Sequence, residues 1–279
     1  MNQTRVFLIF AWLMVATLLW MEWGKEKAAP PAQAQTAAAA ATPADASIPT
    51  TTSAPGAIPP APAAGTATPT TSATPAASPS VTVTTDVLNV VLDGGEMRQA
   101  DLLKYPSTAA DDSAPVRLFA TDAANYFVAQ SGWVSQGGQA PTHQAGFVPE
   151  GGKTAFTLAD GANSVEVPFV WTGSDGVTIR RTYTFTRSNY VVQVRDEVIN
   201  AGAKPWQGFV YRQLSRVPRA LVKKGPMSAE QYSFQGAAWY SSADKYEKLK
   251  YDAFVEDGPL NKQVNGGWIG MLQHHFFAA

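Results

Sequence analysis

Ser164–Thr172 reads SVEVPFVWT, and after Gly173-Ser174-Asp175-Gly176 the chain continues as VTIRRTYTFTR over residues 177–187. Successive side chains of a strand point to opposite faces, so Val165, Val167, Phe169 and Trp171 share one side and Glu166, Pro168, Val170 and Thr172 the other. The second stretch repeats the alternation, with Val177, Ile179, Tyr183 and Phe185 against Thr178, Arg180, Thr182, Thr184 and Thr186. Arg181 falls on the mainly apolar face, which predicts an edge position or a local bulge. The Gly-Ser-Asp-Gly segment is a turn signal, and Ser188-Asn189 turns the chain once more into YVVQVRDEVI at 190–199. Three antiparallel neighbours in a meander follow from this spacing.

Working outward, further strands are expected at 81–92, 116–120, 126–130, 154–158, 206–214, 233–240 and 249–255. Glycine pairs and Gly-Pro steps punctuate them, at Gly94-Gly95, Gly137-Gly138, Gly151-Gly152, Gly225-Pro226 and Gly266-Gly267. Short helices are expected at 96–104, with Leu102 and Leu103 as the apolar side, and at 244–250. Many short strands without long helices between them predict a mainly β fold, a large antiparallel β-sandwich.

The strand-rich region, 81–279, holds 25 of the 30 aromatic residues and is long enough to bury a core. What precedes it is different in kind. Of the 20 prolines, 11 fall between Pro30 and Pro79, where Asp45 is the only charged side chain and no aromatic residue occurs. Such a segment has nothing to offset the entropy of ordering it, so 28–80 is expected to be a disordered Ala/Pro/Thr-rich linker. The run VFLIFAWLMVATLLWM at 6–21 carries no charge. Extended through Trp23 it spans ~27 Å at ~1.5 Å per residue, close to the hydrocarbon thickness of a bilayer. Residues 1–27 are therefore expected to be a transmembrane signal anchor, with Trp20 and Trp23 at the membrane interface and Arg5 before the span. The positive-inside bias places the N-terminus in the cytoplasm and the rest of the chain outside. A cleaved signal peptide shares this plan and is the competing reading, although the nearest Ala-x-Ala, Ala32-Gln33-Ala34, lies beyond a charged cluster and two prolines.

The whole chain of 279 residues has a formal net charge of −1, which argues against a nucleic-acid partner. It has no cysteine, which excludes a disulfide framework, a thiolate metal site and a Cys nucleophile. GxSxG, GxxxxGK[ST], HExxH and GxGxxG are all absent. His274 and His275 are adjacent, so on a strand they face opposite sides and do not chelate one ion; His143 is the third histidine. Asp111-Asp112, Glu166, Asp175, Asp196 and Glu197 are the carboxylates from which a glycosidase pair could be drawn, and solvated strand faces and turns account for them better. Arg216, Arg219, Lys223 and Lys224 form a basic stretch suited to acidic headgroups or an acidic partner, or to a solvated loop. Trp133, Trp171, Trp206, Trp239 and Trp268 could line a groove, with core packing the plainer explanation. No catalytic, cofactor-binding or metal-ligating residue is assigned, and no cofactor is expected.

Several segments occur together in one known family. They are Val83-Thr84-Thr85-Asp86-Val87-Leu88, Gly94-Gly95, Leu102-Leu103-Lys104-Tyr105-Pro106, Phe234-Gln235-Gly236-Ala237-Ala238-Trp239-Tyr240, Asp244-Lys245-Tyr246-Glu247-Lys248 and Gly266-Gly267-Trp268-Ile269-Gly270-Met271-Leu272-Gln273-His274-His275-Phe276. With the anchor and tether before them, they resemble the first half of the bacterial YidC membrane-protein insertases. The resemblance implies a periplasmic domain of β-supersandwich form, related to galactose-mutarotase-like folds, in an inner-membrane protein that is not an enzyme. It implies insertion and folding of nascent inner-membrane proteins, alone or with the Sec translocon, with the lipid bilayer as a further partner. The family's insertion groove is built from later membrane helices, so no groove residue carries over, and the chain is expected to be an N-terminal fragment. A membrane-anchored carbohydrate-binding or mutarotase-like protein, and a passive spacer, are the alternatives left by the residues themselves.

Overall fold

Every second residue of Val177–Thr186 is buried, from Val177 and Ile179 through Arg181 to Tyr183 and Phe185, and the threonines between them face outward. In the computed structural model this strand is central to a meander of Ser164–Thr172, Val177–Thr186 and Val192–Asn200, paired antiparallel as the alternation requires. The structure describes residues 14, 79–136, 138–144, 146–218, 233–256, 258, 260, 262–273 and 275–279. Apart from Met14, the expected anchor at 1–27 with Arg5, Trp20 and Trp23 lies outside the described residues, as do nearly all of the linker, Arg219, Lys223, Lys224 and His274. Among the described residues no helix is long and apolar enough to cross a membrane.

The strands are β1 (Val81–Thr84), β2 (Leu88–Leu92), β3 (Glu96–Pro106), β4 (Pro115–Phe119), β5 (Phe127–Ser135), β6 (Val148–Pro149), β7 (Ala155–Thr157), β8 (Ser164–Thr172), β9 (Val177–Thr186), β10 (Val192–Asn200), β11 (Gly208–Arg216), β12 (Gly236–Ser241), β13 (Lys245–Lys250), β14 (Trp268–Leu272) and β15 (Phe277–Ala278). One helical turn, α1 (Ala253–Glu256), follows β13. The first sheet runs β11-β5-β3-β2-β1-β7 with β4 beside β3, and the second runs β10-β9-β8-β6. A third sheet, β13-β12-β14-β15, is built from the C-terminal strands. Among the described residues, all pairings are antiparallel except β1 with β7.

The first two sheets share one core. Val81, Val83, Val90 and Leu92 of the first and Val167, Phe169, Ile179 and Phe185 of the second belong to a single buried cluster. This is the arrangement expected when two alternating sheets each have an apolar face to remove from water. Met271, Phe276 and Ala278 of the C-terminal segment pack against that cluster from outside.

Several expectations are corrected. Residues 96–104 are not helical but belong to β3, where Leu102 is buried and Leu103 is exposed. The helix formers Glu96, Met97, Gln99 and Ala100 are overridden by ladders to β2 and β5, since propensities of tenths of a kcal/mol per residue yield to tertiary pairing. Residues 245–250 likewise form β13, paired along its whole length with β12. The strand expected at 249–255 ends at Lys250, and a turn and α1 follow. The single strand expected at 81–92 is a hairpin of β1 and β2, in which the Thr85 hydroxyl accepts hydrogen bonds from the backbone N–H groups of Val87 and Leu88 at 3.2 and 2.9 Å. Arg181 is at neither an edge nor a bulge. It lies mid-strand between Phe169 and Asp196 in unbroken register, entirely buried.

Candidate functional site

The pleat that buries Tyr183 and Phe185 carries Arg181 into the core, and the surrounding residues satisfy its guanidinium. Nε and Nη2 donate to the two oxygens of Asp196, each at 2.7 Å, from the residue directly across the β9–β10 ladder. Nη1 donates to the Ser131 hydroxyl at 2.8 Å, the Ser131 carbonyl at 3.1 Å and the Gly94 carbonyl at 3.3 Å. The Phe147 ring lies 4.4 Å from the guanidinium carbon. Asp196 also accepts from Trp133 Nε1 at 2.8 Å, and the Tyr183 hydroxyl donates to the Gly94 carbonyl at 3.0 Å. Burial is the largest single influence and would lower the Arg181 pKa, but its hydrogen bonds to Asp196 together with the charge of Asp196 and the Tyr183 phenol outweigh it and hold the pKa above its ordinary value. Burial raises the Tyr183 phenol.

The Asp93-Gly94-Gly95 turn makes this network possible. Gly94 has φ +84°, and a Cβ there would sit 2.6 Å from Phe147 Cβ and 2.9 Å from Phe169 Cδ1. Only glycine brings the backbone carbonyl this close to the buried cation. Nearby, His143 and Tyr211 form a second closed pair, with Nδ1 2.7 Å from the phenol oxygen and the His143 backbone N–H donating to that oxygen at 2.9 Å. Burial pushes the Tyr211 phenol up to about 12. The Arg181 network ties the second sheet to the first at Ser131, Trp133 and the Gly94 turn, and the His143–Tyr211 pair ties the loop after β5 to β11.

The other predicted residues are dispersed. Glu197 is on the opposite pleat face from Asp196 and pairs with Arg195 at 2.8 Å. Glu166, Asp111, Asp112 and Asp175 are exposed. Asp196 is engaged by Arg181 and Trp133 and Glu197 by Arg195, so neither is left open for the acid and base roles a glycosidase pair requires. His275 is exposed on the C-terminal segment, far in sequence from His143, and among the described residues no group of three or more His, Asp or Glu side chains could hold a metal. Arg216 turns inward, its guanidinium 4.7 Å from the Phe127 ring centroid and donating to Gln273 Oε1 at 2.5 Å. A shallow cleft of about 250 Å³ lies between Ser80, Arg98, Arg117 and Asp122. Its arginines are already engaged, Arg117 with Asp101 at 2.7 Å and Arg98 with Asp93 and Glu96 at 3.5 Å.

The five tryptophans of the strand-rich region divide into two groups. Trp133, Trp171 and Trp206 pack against the core, with Trp133 and Trp206 rings 5.7 Å apart. Trp239 and Trp268 belong to the third sheet, on opposite faces of adjacent strands. Trp268 is stacked with Tyr240 at 6.5 Å and lies 5.9 Å from Tyr246, so a row of three partly exposed rings crosses β13, β12 and β14. Sequence reasoning singled out Trp268 but not its tyrosine neighbours; the Tyr-x-Lys-x-Lys alternation of Tyr246, Lys248 and Lys250 was the available signal.

A family model described as the YidC periplasmic domain matches residues 80–279. The chain is 50% identical over 283 residues to the membrane protein insertase YidC of Stenotrophomonas maltophilia (strain R551-3). It is 51% identical over 289 residues to that of Xanthomonas oryzae pv. oryzae (strain KACC10331 / KXO85). Each alignment covers 100% of this chain, and 49% and 50% of the respective relative. The chain thus spans about half the length of the curated relatives it matches.

Proposed function

The chain belongs to the YidC family of membrane protein insertases, and from that premise we propose that it forms the membrane-anchored N-terminal part of a protein that inserts and folds inner-membrane proteins, alone or with the Sec translocon. Residues 1–27 form the anchor, 28–80 the tether and 81–279 a periplasmic domain of β-supersandwich form, related to galactose-mutarotase-like folds. Arg5 stays on the cytoplasmic side, and Trp20 and Trp23 sit at the outer interface. Nascent inner-membrane proteins, translocon components and the bilayer are the partners, and the role is not enzymatic.

The observation that carries this reading is identity of about half over the full chain with proteins named as insertases, including the segments before the β domain. A polar cavity within the membrane lowers the cost of moving a hydrophilic segment while an apolar helix partitions into lipid. In this reading the cavity belongs to the half of the relatives' length that this chain does not span. The β domain acts outside the bilayer as a rigid, tethered contact module. Two measurements test the proposal in cells that depend on the full-length protein. Depleting it should leave a reporter inner-membrane protein uninserted, as read by protease protection. Deleting 81–279 should reduce translocon co-purification or reporter maturation; both unchanged would remove the contact role.

A further inference from the structure

The third sheet separates its charges by pleat. On β13, Tyr246, Lys248 and Lys250 share one face, while Lys245, Glu247 and Leu249 share the other. Register places Tyr240 and Trp268 beside Tyr246, and Leu272 and Phe277 in the row of Lys250. The opposite face carries Met271 and Ala278, which pack on the main core. The face with Tyr246 therefore presents rings and lysines, with no carboxylate from any of its strands, around a buried centre of Gly236, Ala238 and Gly270. Trp268 is 43%, Tyr246 48% and Phe277 65% exposed, high values for residues of this size. Among the described residues, neither Lys248 nor Lys250 forms an ion pair; the Lys248 ammonium lies 5.0 Å from the Phe234 ring and 6.0 Å from Tyr246.

We propose that this face is a docking surface for an anionic phospholipid membrane. The proposal rests on the reading that the chain is tethered to a bilayer, which keeps the domain within reach of its surface. Tyr and Trp favour the headgroup layer, where a ring meets acyl carbon and a hydroxyl or indole N–H meets water and phosphate. Lysines beside them place ammonium groups at the phosphates while their stems lie along the apolar surface. An acidic protein partner would call for a pocket around a central anchor. The exposed rings here stand in a row with lysines beside them, which a fluid lipid layer can cover without matching their shape.

The test uses the full chain, whose lack of cysteine allows a single labelling site. Tyr246→Cys on the face and Val210→Cys on β11, both at exposed positions, each carry an environment-sensitive fluorophore. The chains are reconstituted into vesicles of phosphatidylcholine alone or mixed with phosphatidylglycerol, doped with spin-labelled lipid as quencher. The expected result is quenching at 246 several-fold above that at 210, only with phosphatidylglycerol present, and reduced about tenfold by Lys248→Glu with Lys250→Glu. Equal quenching at the two sites, or quenching at 246 indifferent to lipid charge, would overturn the proposal. So would a spectral shift at 246 produced by soluble polyglutamate and not by anionic vesicles. Flotation of the same samples reports on the anchor separately. If the chain fails to float with neutral vesicles, the anchor reading fails, and the face must then bind anionic vesicles from solution; absence of that binding overturns the docking proposal as well.

Discussion

Arg181 and Lys248 are both cations on β-strands beside aromatic rings, and the two are treated in opposite ways. Arg181 is sealed between two sheets with Asp196, Ser131 and Gly94 around it, so every donor aimed into the core has an acceptor. Lys248 is on a face whose strands supply no acid, beside rings left partly in water. The difference teaches where this molecule spends its polar groups: enclosed charge fixes how the sheets align, and open charge is left for something outside the chain.

The comparison breaks most visibly at Asp196. Asp196→Ala strands a buried guanidinium, and the expected loss is about 3–5 kcal/mol of unfolding free energy, read from urea midpoints of the full chain in detergent. The double replacement Arg181→Met with Asp196→Leu should recover most of that loss, because the cost lies in the unpaired charge. Lys248→Glu with Lys250→Glu should change stability by no more than about 1 kcal/mol, about 0.5 for each surface site. Equal losses in the two regions would end the distinction. Next in size is Gly94→Ala, expected to cost about 2–4 kcal/mol, since a left-handed φ and contacts under 3 Å to Phe147 and Phe169 add backbone strain to overpacking.

The sequence made the enclosed region partly legible. Alternation over Ser164–Thr172 and Val177–Thr186 located the meander and both faces of β9, and it put Arg181 on the apolar side. What it could not supply was the partner: Asp196 is 15 residues away, but Ser131 and Gly94 are 50 and 87 away, and only the fold brings them together. Without them a charge among Val, Ile and Phe reads as an edge or a defect. The helices expected over β3 and β13 failed for a related reason. Helix formers such as Gln99 and Lys248 sit in these strands because adjacent hairpin strands pair with them, Val91 with Gln99 and Ala238 with Lys248, and ladder pairing overrides a local helical preference. The tryptophans were legible as a set but not as two sets, because sequence position does not tell which sheet face a ring joins.

Two tryptophans sharpen the contrast on a smaller scale. Trp133 donates its indole N–H to Asp196, and Trp133→Phe should cost about 1.5–3 kcal/mol by removing a bond to a buried carboxylate. Trp268→Phe on the open face removes only partly exposed ring contacts and should stay within about 1 kcal/mol by the same urea titration.

The smallest effect is one of sign. Burial raises the Asp93 carboxyl, even with Arg98 nearby, so the folded state holds this proton more tightly than the unfolded chain. Its contribution is a loss of stability that sets in as pH rises above the ordinary carboxylate value and is complete above the raised one. Asp244, on the third sheet's turn, is lowered by hydrogen bonds from Lys262 and Ser241, so its stabilisation is present above the ordinary value and is lost as pH falls through the lowered one. Asp93→Asn should therefore flatten a decline in unfolding midpoint between acid and neutral pH, keeping the bond from the Glu96 N–H. Asp244→Asn should flatten a rise over the lower part of the same range. Midpoints measured against pH for the two variants should diverge from the parent in opposite directions. Parallel curves would mean that the turn at Asp93 admits water as freely as the exposed one, and that the boundary between the closed and open regions lies deeper than Gly94.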